Sequence, residues 1–246
     1  MTIIKLTRLR VDAEDISIKC FSPKVGLPRW GGVFLHGAGS SNKERGDALC
    51  TEMTRRGMLT VAFDFSGYGE STQRSPGSIQ KRVAEATAVV ERLILPSGLP
   101  LAVLAFSMSG QVAIELLRTL GNDIRCLALF NPAIYDRLAF SVPFGAEFSA
   151  VIRRPQSWRN AAIASAFDGY RGKTLLVKSE HDDVIPPEVL DLIAQAAPAD
   201  SVSNLIIESA PHQMGAFLNA NPSVAARVAD VIAGLLASQE HECKSI

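Results

Sequence analysis

Leu101-Ala102-Val103-Leu104-Ala105-Phe106 runs without interruption into Ser107-Met108-Ser109-Gly110. Six consecutive apolar residues are the mark of a strand buried on both faces, as in the middle of a parallel sheet. From Ser109 to Leu120 the apolar residues Val112, Ala113, Leu116, Leu117 and Leu120 fall on one helical stripe, and Gly121 follows as a stop. The chain therefore passes from buried strand to helix in a very short turn, and Ser107 stands in that turn.

Working outward, the same alternation recurs. On the N-terminal side, Gly32-Val33-Phe34-Leu35 reads as a buried strand ending at His36-Gly37, and residues 16–21 alternate as a half-exposed strand. Ser41 and Glu44 have capping-box spacing for a helix to about Arg56, stopped by Gly57. Residues 59–65 read as a strand and 79–95 as a helix ended by Pro96. On the C-terminal side, strands are expected at 125–130, 174–177 and 205–207. A helix is expected over residues 224–236, with a polar, frayed tail from Ser238. Strands alternating with helices predict the α/β class: one mostly parallel sheet with helices on both faces. No repeat or linker divides residues 1–246, so a single domain is expected. The rhythm breaks only between Asn131 and Gly172.

Bulk properties narrow the function. Twenty-five Lys and Arg balance twenty-five Asp and Glu, so no basic field for nucleic acid is indicated. Cys20, Cys50, Cys126 and Cys243 are scattered and form no CxxC pair. They read as reduced thiols, without a disulfide framework or a zinc site. Residues 1–5 lack the apolar core of a secretory signal, and no apolar run approaches a membrane span. A cytoplasmic protein without metal or organic cofactor is expected. Self-association is left open.

The turn at Ser107 is the context of a nucleophile elbow, usually written G-x-S-x-G because the sharp turn leaves no room for side chains two residues away. Here those positions hold Ala105 and Ser109, both small. Ser109 as nucleophile would need small residues at 107 and 111, and Gln111 is too large. A serine hydroxyl needs a base within reach, and the base needs an orienting acid. Of the four histidines, His212 follows the last expected strand, on a loop where open α/β sheets place their sites. His36 precedes the serine, His181 adjoins an acidic loop and His241 is in the tail. The acid lies in Ser179-Glu180-His181-Asp182-Asp183-Val184-Ile185-Pro186, where three carboxylates compete. A developing oxyanion needs two N–H donors. Met108, after the nucleophile, and Ala38, within His36-Gly37-Ala38-Gly39, are the expected pair. Asp64-Phe65-Ser66-Gly67-Tyr68-Gly69-Glu70-Ser71 lacks the third glycine of a dinucleotide site and reads as a structural turn.

Together these segments resemble the α/β-hydrolase superfamily, in its single-domain esterase and serine-aminopeptidase-like branch. His36–Gly39 matches the family's H-G-x-G. Asp64, Gly67, Gly69 and Ser71 match D-x-x-G-x-G-x-S. Residues 105–109 match the elbow, and His212 matches the late histidine. Residues 179–186 match G-x-x-D-x-x-x-P, with serine for glycine. That register selects Asp182 as the acid; the variant with the acid after the preceding strand would use Asp136. The resemblance implies an α/β-hydrolase fold with a small lid over residues 132–172. It also implies a serine esterase that cleaves a small-molecule carboxylic ester through an acyl-enzyme, with Ser107, Asp182 and His212 as triad and Ala38 and Met108 as oxyanion hole. The same machinery serves thioesterases, C–C bond hydrolases, acyltransferases, peptidases and non-catalytic ligand-binding members. Phe140, Phe144 and Phe148, spaced i, i+4, would share a helix face, although Pro143 and Gly145 weaken that helix; the three rings either pack the lid onto the core or line an apolar substrate pocket for an acyl or aryl group.

Overall fold

The computed structural model describes residues 2–242. Eight strands form one sheet in the order β1-β2-β4-β3-β5-β6-β7-β8. These are β1 (Thr2–Val11), β2 (Glu14–Pro23), β3 (Trp30–Leu35), β4 (Met58–Phe63), β5 (Leu101–Phe106), β6 (Ile124–Phe130), β7 (Lys173–His181) and β8 (Val202–Pro211). β1 and β2 form an antiparallel hairpin, β2 meets β4 antiparallel, and every other neighbouring pair is parallel. The helices are α1 (Asp47–Arg55), α2 (Ile79–Leu93), α3 (Ser109–Leu120), α4 (Ala146–Ile152), α5 (Pro187–Ala196), α6 (Met214–Ala220) and α7 (Pro222–Glu242).

Strand periodicity of two splits the core into two layers. Val103, Ala105, Leu127 and Leu129 face one cluster that includes Val89 of α2 and Leu116 of α3. Ala102, Leu104, Phe106 and Phe130 face the other, with Met53 of α1 and Val228 of α7. All six residues of β5 are buried, because helices cover both faces. Phe106 and Phe130, opposite each other in register, stack at 4.1 Å between ring centroids.

Three expectations need correction, and one strand was not expected at all. β1 is a full strand that no apolar run announces. Ser41 caps nothing: the chain makes a 3-10 turn at Lys43–Gly46 from an extended Asn42 before α1 starts at Asp47. The tail at Ser238 continues α7 to Glu242. Phe140, Phe144 and Phe148 do not share a helix. Pro143 and Gly145, with Gly145 at φ 155°, delay α4 to Ala146, so only Phe148 is helical. The segment 131–172 holds no strand, only α4 and three 3-10 turns. Cys20, Cys50 and Cys126 are free thiols; Cys243 lies outside the described residues. No helix among the described residues is long and apolar enough to cross a membrane.

Candidate active site

Ser107 connects β5 to α3 with φ 49°, a left-handed conformation that costs a non-glycine residue energy. Its own backbone fixes it there. The Ser107 N–H donates to Phe130 O (2.9 Å), and its carbonyl accepts from the N–H groups of Gly110 (2.8 Å) and Ala133 (2.9 Å). The side chain is thereby aimed past the end of the sheet. Ser107 Oγ lies 3.0 Å from His212 Nε2. His212 Nδ1 lies 3.0 Å and 3.1 Å from the two carboxylate oxygens of Asp182. Asp182 Oδ1 also accepts from the N–H groups of Val184 (2.9 Å) and Ile185 (3.0 Å). Those two amides can only donate, so Oδ1 is held as an acceptor. With Asp182 accepting at Nδ1, the imidazole carries its proton there and turns the lone pair of Nε2 to Ser107.

Two rival carboxylates are occupied elsewhere, and the third makes no hydrogen bond to His212 among the described residues. Glu180 Oε2 accepts from Ser209 N (2.7 Å). Asp136 accepts from Leu138 N (2.9 Å) and Asn160 Nδ2 (3.0 Å), bonds that hold its carboxyl below the usual range. Asp183 is exposed.

Of the three departures from the family's glycines, Ala105, Ser109 and Ser179, the two serines have hydrogen-bond partners. Buried Ser109 donates from Oγ to His36 O (2.5 Å), tying the elbow helix to the loop after β3. Buried Ser179 donates from Oγ to Pro211 O (2.7 Å) and accepts from Asn131 Nδ2 (2.7 Å). Asn131 Nδ2 also reaches His212 O (3.1 Å), so these two side chains anchor the histidine loop. Sequence reading missed Asn131. Its only signal was position, at the carboxyl end of a predicted strand.

Ala38 and Met108 flank Ser107 on one cavity of about 740 Å³. Neither amide N–H has a hydrogen-bond partner among the described residues. Gly37 approaches the elbow closely: a Cβ there would lie 3.3 Å from Ser107 Cβ. The cavity walls are apolar, with Ile134, Ile152, Trp158, Val184, Val189 and Met214 among them. Its only charged lining residues, among those described, are Arg45, Arg153 and Arg154. Of the two readings of Phe140, Phe144 and Phe148, the pocket one fails, for none of them lines this cavity. Phe148 is buried against Tyr135 and Phe144, and Phe140 borders a separate cavity beside Asp136. They pack segment 131–172 onto the core because that segment turns at Pro143 and Gly145.

The turn after β4 is structural. Buried Asp64 accepts from Lys43 N (2.8 Å), Lys43 Nζ (2.7 Å) and Glu70 N (2.9 Å). Burial opposes the charge on Lys43, but Asp64, Glu70 and Glu44 outweigh it and hold its pKa above the ordinary value. No group of three or more His, Cys, Asp or Glu residues among those described is arranged to hold a metal.

Comparison with known proteins agrees with this architecture. The family model for serine aminopeptidase, S33, matches residues 28–160, more than half of the 246-residue chain. It spans Ala38, Ser107 and Met108 and stops before Asp182 and His212. No curated protein matches in sequence. Among solved structures, a predicted CIB-like hydrolase from Thermoplasma acidophilum is 15% identical with a TM-score of 0.69. The match covers 96% of this chain and 100% of that one. Est1E from Butyrivibrio proteoclasticus, solved with ferulic acid bound, is 15% identical with a TM-score of 0.71, covering 93% and 99%. An esterase from Exiguobacterium antarcticum is 16% identical with a TM-score of 0.66, covering 90% and 97%. The chain belongs to the serine aminopeptidase S33 family and is an enzyme of the α/β-hydrolase superfamily.

Proposed function

We propose that the protein hydrolyses a carboxylic ester through an acyl-enzyme on Ser107. The observation that carries this reading is the unbroken chain of hydrogen bonds Ser107–His212–Asp182 at a cavity lined by Ala38 and Met108, whose amides have no partner among the described residues. Ser107 Oγ attacks the ester carbonyl carbon while His212 Nε2 takes its proton. The carbonyl oxygen becomes an oxyanion and accepts from the N–H groups of Ala38 and Met108. The tetrahedral intermediate collapses, the C–O bond to the leaving alcohol breaks, and His212 returns the proton to that alcohol. Water then attacks the acyl-enzyme by the same route and releases the acid. Segment 132–172 acts as a small lid; Ile152, Arg153, Arg154 and Trp158 are its contribution to the cavity wall.

Cavity chemistry favours particular substrates. Apolar walls suit an acyl or aryl group. An aminopeptidase must neutralise the ammonium of a peptide, yet no carboxylate is among the lining residues, and three arginines are. Esters with an apolar acyl part and a negative charge near the mouth therefore fit better than aminoacyl amides. The test compares kcat/KM for p-nitrophenyl acyl esters, the same esters with a terminal carboxylate, acyl thioesters, and aminoacyl p-nitroanilides. Esters are expected to turn over, with the carboxylate series losing its advantage in Arg153→Ala/Arg154→Ala. Faster cleavage of the anilides would sink the ester reading. Thioesters running ahead of matched esters would move the assignment to a thioesterase.

A further inference from the structure

Arg82 lies on α2, away from the cavity, and the reaction above does not use it. It is 2% exposed, and no carboxylate forms an ion pair with it among the described residues. Glu85, on the same helix, accepts at Oε2 from the Ser66 N–H (3.0 Å), and its Oε1 has no partner among the described residues. The guanidinium instead sits over the rings of Phe65, Tyr68 and Phe144, at 4.5, 4.6 and 5.5 Å from their centroids. Its Nε and Nη2 make no hydrogen bond among the described residues. Burying an arginine this way is costly, and arginine does not escape by losing its proton.

The two bonds it does make converge on the loop after β3. Arg82 Nη1 donates to His36 O (3.3 Å) and to Gly37 O (3.2 Å). Gly37 O has a second donor. Because His36 Nε2 accepts from the Phe65 N–H (3.1 Å), its proton is on Nδ1, which donates to Gly37 O at 2.8 Å. Burial, aided by the Arg82 charge, holds the His36 pKa far below its ordinary value, so this tautomer stays neutral. A trans peptide points its C=O and N–H in opposite directions. With Gly37 O clamped on the Arg82 side, the Ala38 N–H faces away from it, toward the side where Ala38 and Ser107 border the cavity.

We propose that Arg82 is a positioning residue for the oxyanion hole. It clamps the His36 and Gly37 carbonyls so that the Ala38 N–H is aimed at the developing oxyanion, and its buried positive charge polarises that peptide. The proposal rests on the hydrolase reading and adds a residue that touches neither substrate nor triad.

The experiment compares wild type, Arg82→Met and Arg82→Lys. It measures kcat and KM on an ester substrate, the rate of fluorophosphonate labelling, and the affinity of an aryl boronic acid, whose tetrahedral adduct uses the same amides. Loss of one oxyanion donor is worth about 10²–10³ in kcat. Arg82→Met is expected to lose about 10²-fold in kcat with KM changed less than threefold, and boronate affinity should fall in parallel. Arg82→Lys should recover part of both, since an ammonium can still reach one carbonyl. Folded Arg82→Met with wild-type kcat, or a kcat loss without loss of boronate affinity, overturns the proposal. If Arg82→Met does not fold, Arg82→Lys decides: matched losses of kcat and boronate affinity support the clamp, and unchanged values refute it. Failure of the underlying reading has its own signature, because the wild type would then take no fluorophosphonate adduct on Ser107.

Discussion

Replacing Asp182 by Asn tests whether this carboxylate orients the base, and the geometry sets the size of the effect. Oδ1 accepts from the amides of Val184 and Ile185. An asparagine therefore keeps its carbonyl oxygen there; the flipped amide would turn NH₂ against two N–H donors, each unmade bond costing about 1–3 kcal/mol. The NH₂ group then takes the place of Oδ2, 3.1 Å from His212 Nδ1. Pointing a donor at Nδ1 favours the tautomer with the proton on Nε2, which cannot accept from Ser107. The loss of the charge also destabilises the imidazolium formed during attack. In serine hydrolases this change costs about 10⁴ in kcat, about 5 kcal/mol of barrier. Here Oδ1 remains 3.0 Å from Nδ1, so some of the productive tautomer survives. A loss of about 10²–10⁴ in kcat/KM is expected at neutral pH. Stopped or steady-state ester hydrolysis measures it, with Glu180→Gln and Asp183→Asn as controls that stay within about threefold. An Asp182→Asn enzyme keeping more than a tenth of wild-type kcat/KM, or a control that loses as much, would refute the assignment.

Other consequences are testable by the same means. Ser179→Ala removes the hydroxyl between Asn131 and Pro211. It should cost about 1 kcal/mol, seen as about 2–4 °C in Tm, and lower kcat more than it raises KM; an unchanged kcat would show that the histidine loop does not need this tether. Gly110→Ala would place Cβ 2.6 Å from Pro132 Cβ and 3.0 Å from Ala133 O, displacing a chain whose amides hold Ser107 in its turn. Destabilisation of about 1–3 kcal/mol by denaturant titration, together with slowed ester turnover, is expected; wild-type values for both would count against the tight elbow. Glu14 is 2% exposed and joins the β1–β2 hairpin to residues 72–81. Burial opposes its charge, but bonds from Lys81, Thr72, Arg74 and Ser75 outweigh it and lower its pKa to about 2. A depressed folded-state pKa stabilises fully above the unfolded value near 4.5 and is lost as pH falls toward 2, an upper bound of about 3 kcal/mol. The stability gap between wild type and Glu14→Gln should accordingly be widest above pH 5 and narrow steadily as pH falls from 5 toward 2; a gap that is constant with pH would contradict the shift.

What the sequence made legible follows from the range of the forces involved. β5 and α3 were readable because a continuous apolar run and a helical stripe meet at Ser107, and both are local patterns. The order of Ser107, Asp182 and His212 was readable because each sits just beyond a strand end. β1 was not, because its apolar residues Ile3, Ile4 and Leu6 lie on the exposed sheet edge and make no core period. The i, i+4 spacing of Phe140, Phe144 and Phe148 misled because Pro143 and Gly145 break the helix that would give the spacing meaning. Asn131 with Ser179, and Arg82 with Gly37, were invisible for another reason. Their roles arise from contacts across 48 and 45 residues of chain, and no local pattern records which buried polar groups will meet.

The central claim is that Ser107 is an activated nucleophile. Intact-mass measurement after exposure to a fluorophosphonate, with peptide mapping, tests it most directly on wild type and Ser107→Ala. A single adduct on Ser107 in the wild type, absent from a folded Ser107→Ala variant, is the predicted result. A folded wild type that takes no adduct, or an adduct that persists in Ser107→Ala, would contradict the account.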